Sequence, residues 1–262
     1  MAKYIVEFGR AEQREDFINK HERFFERIET LHRALNTVSI KTNVILDNNE
    51  IVMDVLCSLC VEDYNEILLL SGNGFGHGAL KTLRGIFEKL VVARYLELHP
   101  DAVYDFLDFH AVKAHKLHLD DYLQRFDPDG AKLNRFKVAR KEGARKRLQP
   151  SWTQTDFVSM AEEVGLGEHV TNAYHFPLEF AHPSVTAVFS LLQEIDGQLT
   201  IIENGPQPDL AEIALMMAHY FLLDVLRLQI EHYKREDEAV LQQCVDDYVY
   251  IWGQEQPPTD LI

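Results

Sequence analysis

Three polar side chains share one stripe of an otherwise apolar segment. Within residues 76–100, His77, Arg84 and Glu88 recur at helical spacing, and Arg84 and Glu88 are one turn apart. The surrounding residues are mainly leucine, isoleucine, valine and phenylalanine, and an unpaired charge buried among them is strongly destabilising. We therefore expect Arg84 either to pair with Glu88 or to face a cavity where it binds an anionic ligand.

A second segment, residues 174–184 (YHFPLEFAHPS), places an acid and a histidine among aromatic residues and prolines. We predict that it packs on the first segment, which would bring Glu179 and His182 close to Arg84. A histidine beside carboxylates can titrate near neutral pH and act as an acid or a base. His182 and Glu88 are therefore the candidate catalytic residues, although the same residues could equally form a buried network that fixes helix register.

These residues favour a binding or regulatory protein that holds an anionic small molecule or partner. The candidate ligand-binding residues are Arg84, Glu88, His77, Glu179 and His182. An alternative is a scaffold whose polar core is purely structural and whose surface serves homo-oligomerisation or a protein partner. The sequence leaves open whether the protein is an enzyme.

Charge is distributed unevenly along the chain. The formal net charge is −16, but residues 132–147 contain eight basic residues and one acid, a net of +7 that leaves −23 on the rest. Such a segment suits an anionic partner, either RNA or an acidic protein surface, or it is a solvated helix. The patch candidates are Lys132, Arg135, Arg140, Lys141, Arg145 and Arg147.

The hydrophobic periodicity predicts an all-α fold, a single-domain bundle of about eight or nine helices in residues 1–252, with a disordered tail in 253–262. A small β-hairpin is expected near 188–204, around the turn formed by Asp196 and Gly197. The predicted helices cover residues 11–44, 50–70, 76–99, 101–126, 132–149, 155–164, 210–235 and 236–251.

The remaining features indicate a cytoplasmic protein without a cofactor. The three cysteines, Cys57, Cys60 and Cys244, fit a reducing compartment, and the C-x-x-C lies in a helical run without a second ligand pair, so no metal site is expected. The first residues do not resemble a signal peptide. We find no apolar run of about 18 residues and therefore expect no membrane-spanning helix.

The ordered set of motifs resembles a bacterial all-helical family known only as a domain of unknown function. Its hallmarks are an Arg-x-x-x-Glu on a central apolar helix, a tryptophan before a helix, and an aromatic–acid–aromatic–x–His–Pro segment. Here they correspond to Arg84 with Glu88, to Trp152, and to the segment of Glu179 and His182. The resemblance covers roughly residues 60–190 and implies a helical fold without an assigned activity.

A fainter resemblance is to the HEPN (higher eukaryotes and prokaryotes nucleotide-binding) ribonucleases, small helical bundles marked by Arg-x4-6-His. Arg94 with His99, and Arg227 with His232, have this spacing. The resemblance implies a rival function, a metal-independent ribonuclease effector of the toxin or phage-defence type, with Arg94 and His99 as its catalytic pair. The residue after each arginine, a tyrosine or a leucine, is not the polar one typical of that motif.

Overall fold

The computed structural model describes residues 9–39, 47–131, 134, 156–195, 197–201, 205–232, 238–255 and 257. This part of the chain is helical apart from one hairpin, which confirms the predicted fold class. Its eleven α-helices are α1 (Ala11–Lys20), α2 (Glu22–Ser39), α3 (Asn48–Gly72), α4 (Gly76–Leu98), α5 (Ala102–Lys116), α6 (Asp120–Phe126), α7 (Phe157–Glu163), α8 (Phe176–Ala181), α9 (Val185–Phe189), α10 (Pro208–His232) and α11 (Glu238–Trp252).

The centre of the bundle is formed by α3, α4 and α10, which pack against one another along their lengths. α2 and α11 pack together and also contact this trio, and α7 and α8 cover part of α4. Apolar residues on several sides of α4, among them Leu83, Ile86 and Leu90, are fully buried as a result. Contrary to the expectation that no apolar run is long enough, α10 could cross a membrane by its length and composition, but 83% of its most apolar window is buried inside the bundle.

Two of the predicted long helices are broken, and two short helices, α8 and α9, lie where the sequence predicts none; together these raise the helix count of the described residues above the expected eight or nine. The predicted helix 11–44 divides at His21, whose φ and ψ of −113° and 37° end α1 and whose ring lies against that of Phe17, with the centroids 4.3 Å apart and the planes tilted by 34°. The predicted helix 101–126 divides before α6, where His118 has a left-handed φ of 55°. Periodicity does not reveal either break, because the apolar spacing continues through both.

Other helices begin or end within two residues of their predicted bounds, and local capping residues fix some of these boundaries. Asp47 begins α3 with a capping box, in which its carboxylate accepts from Glu50 N at 2.8 Å while Asp47 N donates to Glu50 Oε2 at 2.9 Å. Pro100 follows α4, whose last helical residue is Leu98. Asp156 accepts from Ser159 N at 3.0 Å and so caps α7.

The hairpin is present inside the predicted range 188–204. β1 (Leu192–Ile195) pairs antiparallel with β2 (Gln198–Ile201), and the outermost pair is Leu192 with Ile201. Gly197 at the turn has a φ of 78°, which glycine adopts without strain. Leu199 and Ile201 are 62% and 80% exposed, so this strand pair presents apolar side chains to solvent.

Candidate functional site

The two segments that carry the sequence-derived candidates do pack together. A π-helical turn, Thr171–His175, leads directly into α8, and both lie on α4. The His77 ring stacks on Phe180 with the centroids 4.4 Å apart and the planes at 18°. Seven residues further along α4, the Arg84 guanidinium lies over the Tyr174 ring, 4.5 Å from its centroid. The expected contact between the segments is therefore made by aromatic rings.

Arg84 is held in place from two sides. Its Nε and Nη2 lie 2.8 and 2.7 Å from Glu88 Oε1, so of the two expected alternatives the pairing across one helical turn is present. The ring of Tyr174 beneath it is itself stacked on Phe157 at 4.5 Å, and Phe157 meets the buried Phe87 edge-on. Because each ring is supported by the next, the guanidinium rests on an aromatic column that reaches the core.

The outer side of this arginine remains open. The Arg84 side chain is 22% exposed and that of Glu88 is 41% exposed. A guanidinium has five N–H donors, and in the described part of the chain Nη1 of Arg84 has no acceptor. A planar, pre-oriented guanidinium with free donors matches the geometry of a carboxylate or phosphate.

The residues N-terminal to Arg84 on the same stripe are also basic. Lys81 is exposed, and His77 is half-buried beneath Phe180. Burial, together with the neighbouring Lys81 ammonium, lowers the pKa of His77. His77 is therefore a neutral hydrogen-bonding group at neutral pH, and Lys81 and Arg84 supply the positive charge of this stripe.

Glu179 and His182 do not join this arrangement. Within the residues that the structure describes, no hydrogen bond or ion pair links either side chain to Arg84 or Glu88. The Glu179 carbonyl instead accepts from Ser184 Oγ at 2.6 Å, and the same Oγ caps α9 by accepting from Ala187 N. His182 is exposed at the C-terminal end of α8. The predicted four-residue cluster thus reduces to Arg84 and Glu88, with Tyr174 as the member that sequence reasoning missed.

Arg94, the arginine of the rival pair, is enclosed by carboxylates. It donates to both carboxylate oxygens of Asp224 at 2.7 and 3.2 Å, to Glu97 at 3.0 Å and to Glu231 at 3.5 Å. Burial by itself would lower the pKa of Arg94, but the hydrogen bonds and charges of Asp224 and Glu97 outweigh it and raise the pKa. His99 binds a different acid, Glu163, at 2.6 Å. Each member of the pair has its own partner.

A cleft of about 500 Å³ opens beside this ion-pair network. Its polar lining comes from Arg94, Glu97, Glu163, Tyr220, Asp224 and Arg227. Arg227 donates to Asp224 at 2.9 Å, so two arginines converge on one carboxylate. His232, which shares the second Arg-x4-His with Arg227, lies 3.6 Å from Glu50 instead.

The remaining candidates are the basic patch, the tryptophan and the cysteines. The basic patch of Lys132, Arg135, Arg140, Lys141, Arg145 and Arg147, and also Trp152, lie outside the described residues. Cys57, Cys60 and Cys244 are all buried, and none of them forms a disulfide in the described part of the chain. Among the described residues, no group of three or more histidine, cysteine, aspartate or glutamate side chains is placed to hold a metal ion.

Together, the fold and the site define a class of protein: an all-helical bundle whose central helix presents a partly exposed arginine on an aromatic support.

A model of a family of unknown function, DUF5677, matches residues 50–199, more than half of the chain, and the protein belongs to this family. This confirms the expected membership of an unknown-function family. No curated protein and no solved structure matches the chain. Arg84, Glu88 and Tyr174 lie inside the matched range, whereas α10 and Asp224 lie outside it.

Proposed function

We propose that the protein is a cytoplasmic binding or regulatory protein that holds an anionic ligand at Arg84. The observation that carries the proposal is that the Arg84 guanidinium is held in one orientation while some of its N–H donors have no acceptor in the described part of the chain. Glu88 and Tyr174 orient Arg84 before any ligand arrives, and Nη1 has no acceptor among the described residues. Pre-organisation of this kind reduces the entropy lost on binding.

The ligand class follows from the neighbouring charges. Lys81 is the next cation along the stripe, and Glu88 is the one carboxylate bound to Arg84 in the described part of the chain. A carboxylate or phosphate group would take a charge-assisted, planar hydrogen-bonded contact from the guanidinium. The free ring nitrogens of a neutral His77 would add a hydrogen bond without adding charge.

The same reasoning disfavours the ribonuclease alternative at Arg94. An arginine that acts on an RNA phosphodiester must offer donors to the phosphate, but Nε, Nη1 and Nη2 of Arg94 all contact carboxylates. Its side chain is only 13% exposed. The network is better explained as a structural link between α4 and α10.

The test is a thermal-shift screen of the purified protein against inorganic phosphate, nucleotides, sugar phosphates and mono- and dicarboxylates. A ligand at a hundredfold excess over its dissociation constant stabilises the folded state by about 2.7 kcal/mol. We expect at least one anion to raise the Tm of the wild-type protein and to lose this effect in Arg84→Gln. The matched control is Arg33→Gln, because Arg33 is a surface arginine that also pairs with a glutamate one turn away.

Two results would contradict the proposal. One is a complete panel without a Tm shift, and the other is a shift that survives Arg84→Gln. The substitution leaves the fold testable, because a partly exposed pair one helical turn apart contributes only about 0.3–0.5 kcal/mol.

A second candidate function, self-association, is favoured by a separate surface. We call residues 185–201 the arm; it consists of α9 and the hairpin. It exposes large apolar side chains at Val185, Val188, Phe189, Ile195, Leu199 and Ile201. An isolated two-stranded hairpin is at best marginally stable, and native proteins usually protect exposed edge strands with charges. β2 carries no charge, so its edge lacks that protection.

We infer that the occupant of this edge is a second copy of the chain. With a net charge of −16, most of the surface repels its own copy, whereas two uncharged β2 strands can pair antiparallel about a two-fold axis. The dimer would then contain a four-stranded sheet, whereas three strands with an apolar face are enough for a sheet to be stable in water. Sedimentation of the wild-type protein should show a dimer that Leu199→Lys dissociates and that Leu69→Lys, on the exposed side of α3, leaves intact. A monomer at all concentrations would rule this candidate out.

A further inference from the structure

Four buried polar atoms without hydrogen-bond partners lie around one histidine in the core. Among the described residues they are His219 Nε2, Tyr64 Oη, Tyr248 Oη and His32 Nε2. The His219 ring is 5.1 Å from that of Tyr248 and 6.5 Å from that of Tyr64, and the His32 ring is 6.0 Å from that of Tyr64. The four residues come from α10, α11, α3 and α2, so their rings lie close together where four helices meet.

The protonation of His219 follows from its one partner. Trp252 Nε1, which can only donate, donates to His219 Nδ1 at 3.1 Å. Nδ1 is therefore the acceptor nitrogen, and in the neutral ring the proton resides on Nε2. His219 is 1% exposed, so this N–H points into the protein interior with no acceptor in the described part of the chain.

Several buried polar atoms without hydrogen-bond partners are unusual in one protein core. Native proteins pair nearly all buried polar atoms, and a single unpaired donor or acceptor costs about 1–3 kcal/mol. Tyr64 and Tyr248 are both 0% exposed, so neither hydroxyl can turn to solvent. Buried polar groups without protein partners, on neighbouring residues, are the usual surroundings of an internal water molecule, which makes two to four hydrogen bonds.

We propose that this core contains a binding site for ordered internal water, centred on His219. The water accepts a hydrogen bond from His219 Nε2–H and donates its two protons to the hydroxyl oxygens of Tyr64 and Tyr248. Its three contacts would satisfy the histidine and join α3, α10 and α11 through one hydrogen-bonded centre. Water is the proposed occupant because the four groups are neutral and together can both donate and accept hydrogen bonds, as a water molecule does.

The test relies on the sign of a stability change. If the hydroxyls bind water, Tyr64→Phe and Tyr248→Phe each remove a hydrogen bond and leave a water proton unpaired, so we expect each to lower the Tm by about 2–4 °C. If the hydroxyls are unpaired in a dry core, the same substitutions remove a buried polar group that has no partner, and the Tm stays constant or rises. Tyr104→Phe on the exposed side of α5 is the control and should leave the Tm unchanged.

A double-mutant cycle tests whether the two tyrosines share the same water. We expect the effects of Tyr64→Phe and Tyr248→Phe to be non-additive, since each substitution weakens the water that serves the other residue. A crystal structure at a resolution that shows ordered water should contain one within hydrogen-bonding distance of His219 Nε2. A raised Tm in both single variants, or a dry core in that crystal structure, would overturn the proposal.

Discussion

Arg94 on α4 and Asp224 on α10 form a two-point contact, in which Nη2 donates to Oδ1 at 2.7 Å and Nε to Oδ2 at 3.2 Å. Both side chains are 13% exposed. The two residues are 130 positions apart, and their contact fixes the register between two of the three central helices. Arg227, on the same helix as Asp224, adds a second guanidinium to the carboxylate.

Loss of this contact is predicted to destabilise the fold. Removal of one partner of a largely buried ion pair leaves the other charge poorly compensated, so Arg94→Met should lower the free energy of unfolding by about 3 kcal/mol. Urea unfolding of the wild type and of Arg94→Met measures this loss in the free energy of unfolding. The control is Glu29→Gln, which breaks the exposed pair with Arg33 and should change it by less than about 1 kcal/mol. Wild-type stability in Arg94→Met would show that the network is not structural and would reopen the ribonuclease alternative.

The stability should also depend on pH. Burial, followed by the nearby His32, lowers the pKa of His219 from its ordinary value to about 3. Between about pH 6.5 and 3 the unfolded chain therefore binds a proton at this histidine that the folded protein does not, and the free energy of unfolding falls as the pH decreases through that window. Burial also lowers the pKa of His32 and His169, which adds a slope of the same sign.

The measurement is urea unfolding at pH 7, 6 and 5, a range above most carboxylate titrations. His219 should contribute a slope of at most about 1.4 kcal/mol per pH unit. His219→Gln should remove the contribution of His219 from the slope and leave the contributions of the other titrating groups, among them His32 and His169. An unchanged slope in the variant would mean that His219 takes up a proton in the folded protein over this range.

The fold was largely predictable because its signals are local. The capping residue Asp47, Pro100 after α4 and the glycine turn of the hairpin each act within a few residues of their own position. The breaks at His21 and His118 were missed because they depend on contacts and backbone angles that leave the hydrophobic spacing unchanged.

The site was predictable only where both partners share one helix. Arg84 and Glu88 are one turn apart, and their pairing follows from that spacing. The support from Tyr174 was missed because a π-helical turn sets the direction of that ring, and no sequence signal reveals such a turn. Asp224 was missed because its partner is 130 residues away, on a helix whose apolar pattern predicts only burial.

The capping box of α3 provides a third prediction. Asp47→Ala removes the acceptor for Glu50 N and should lower the free energy of unfolding by about 1 kcal/mol. Asp47→Asn retains a capping oxygen and should have a much smaller effect. Chemical denaturation of both variants, compared with wild type, distinguishes them. Equal losses in the two variants would indicate that the charge of Asp47, rather than the cap, stabilises the start of α3.

Two glycines on α4 should respond to alanine with opposite signs. A Cβ at Gly76 would lie 2.5 Å from the carbonyl oxygen of Gln207 and 2.7 Å from Leu210 Cβ, so Gly76→Ala must displace the start of α10 and should lower the Tm. A Cβ at Gly78 would meet only the Leu70 side chain, at 3.4 Å or more. Because alanine favours a helix over glycine by about 0.8–1 kcal/mol, Gly78→Ala should leave the Tm unchanged or raise it. A fall in Tm for both variants would show that α4 needs glycine at Gly78 for a reason other than the space around its Cβ.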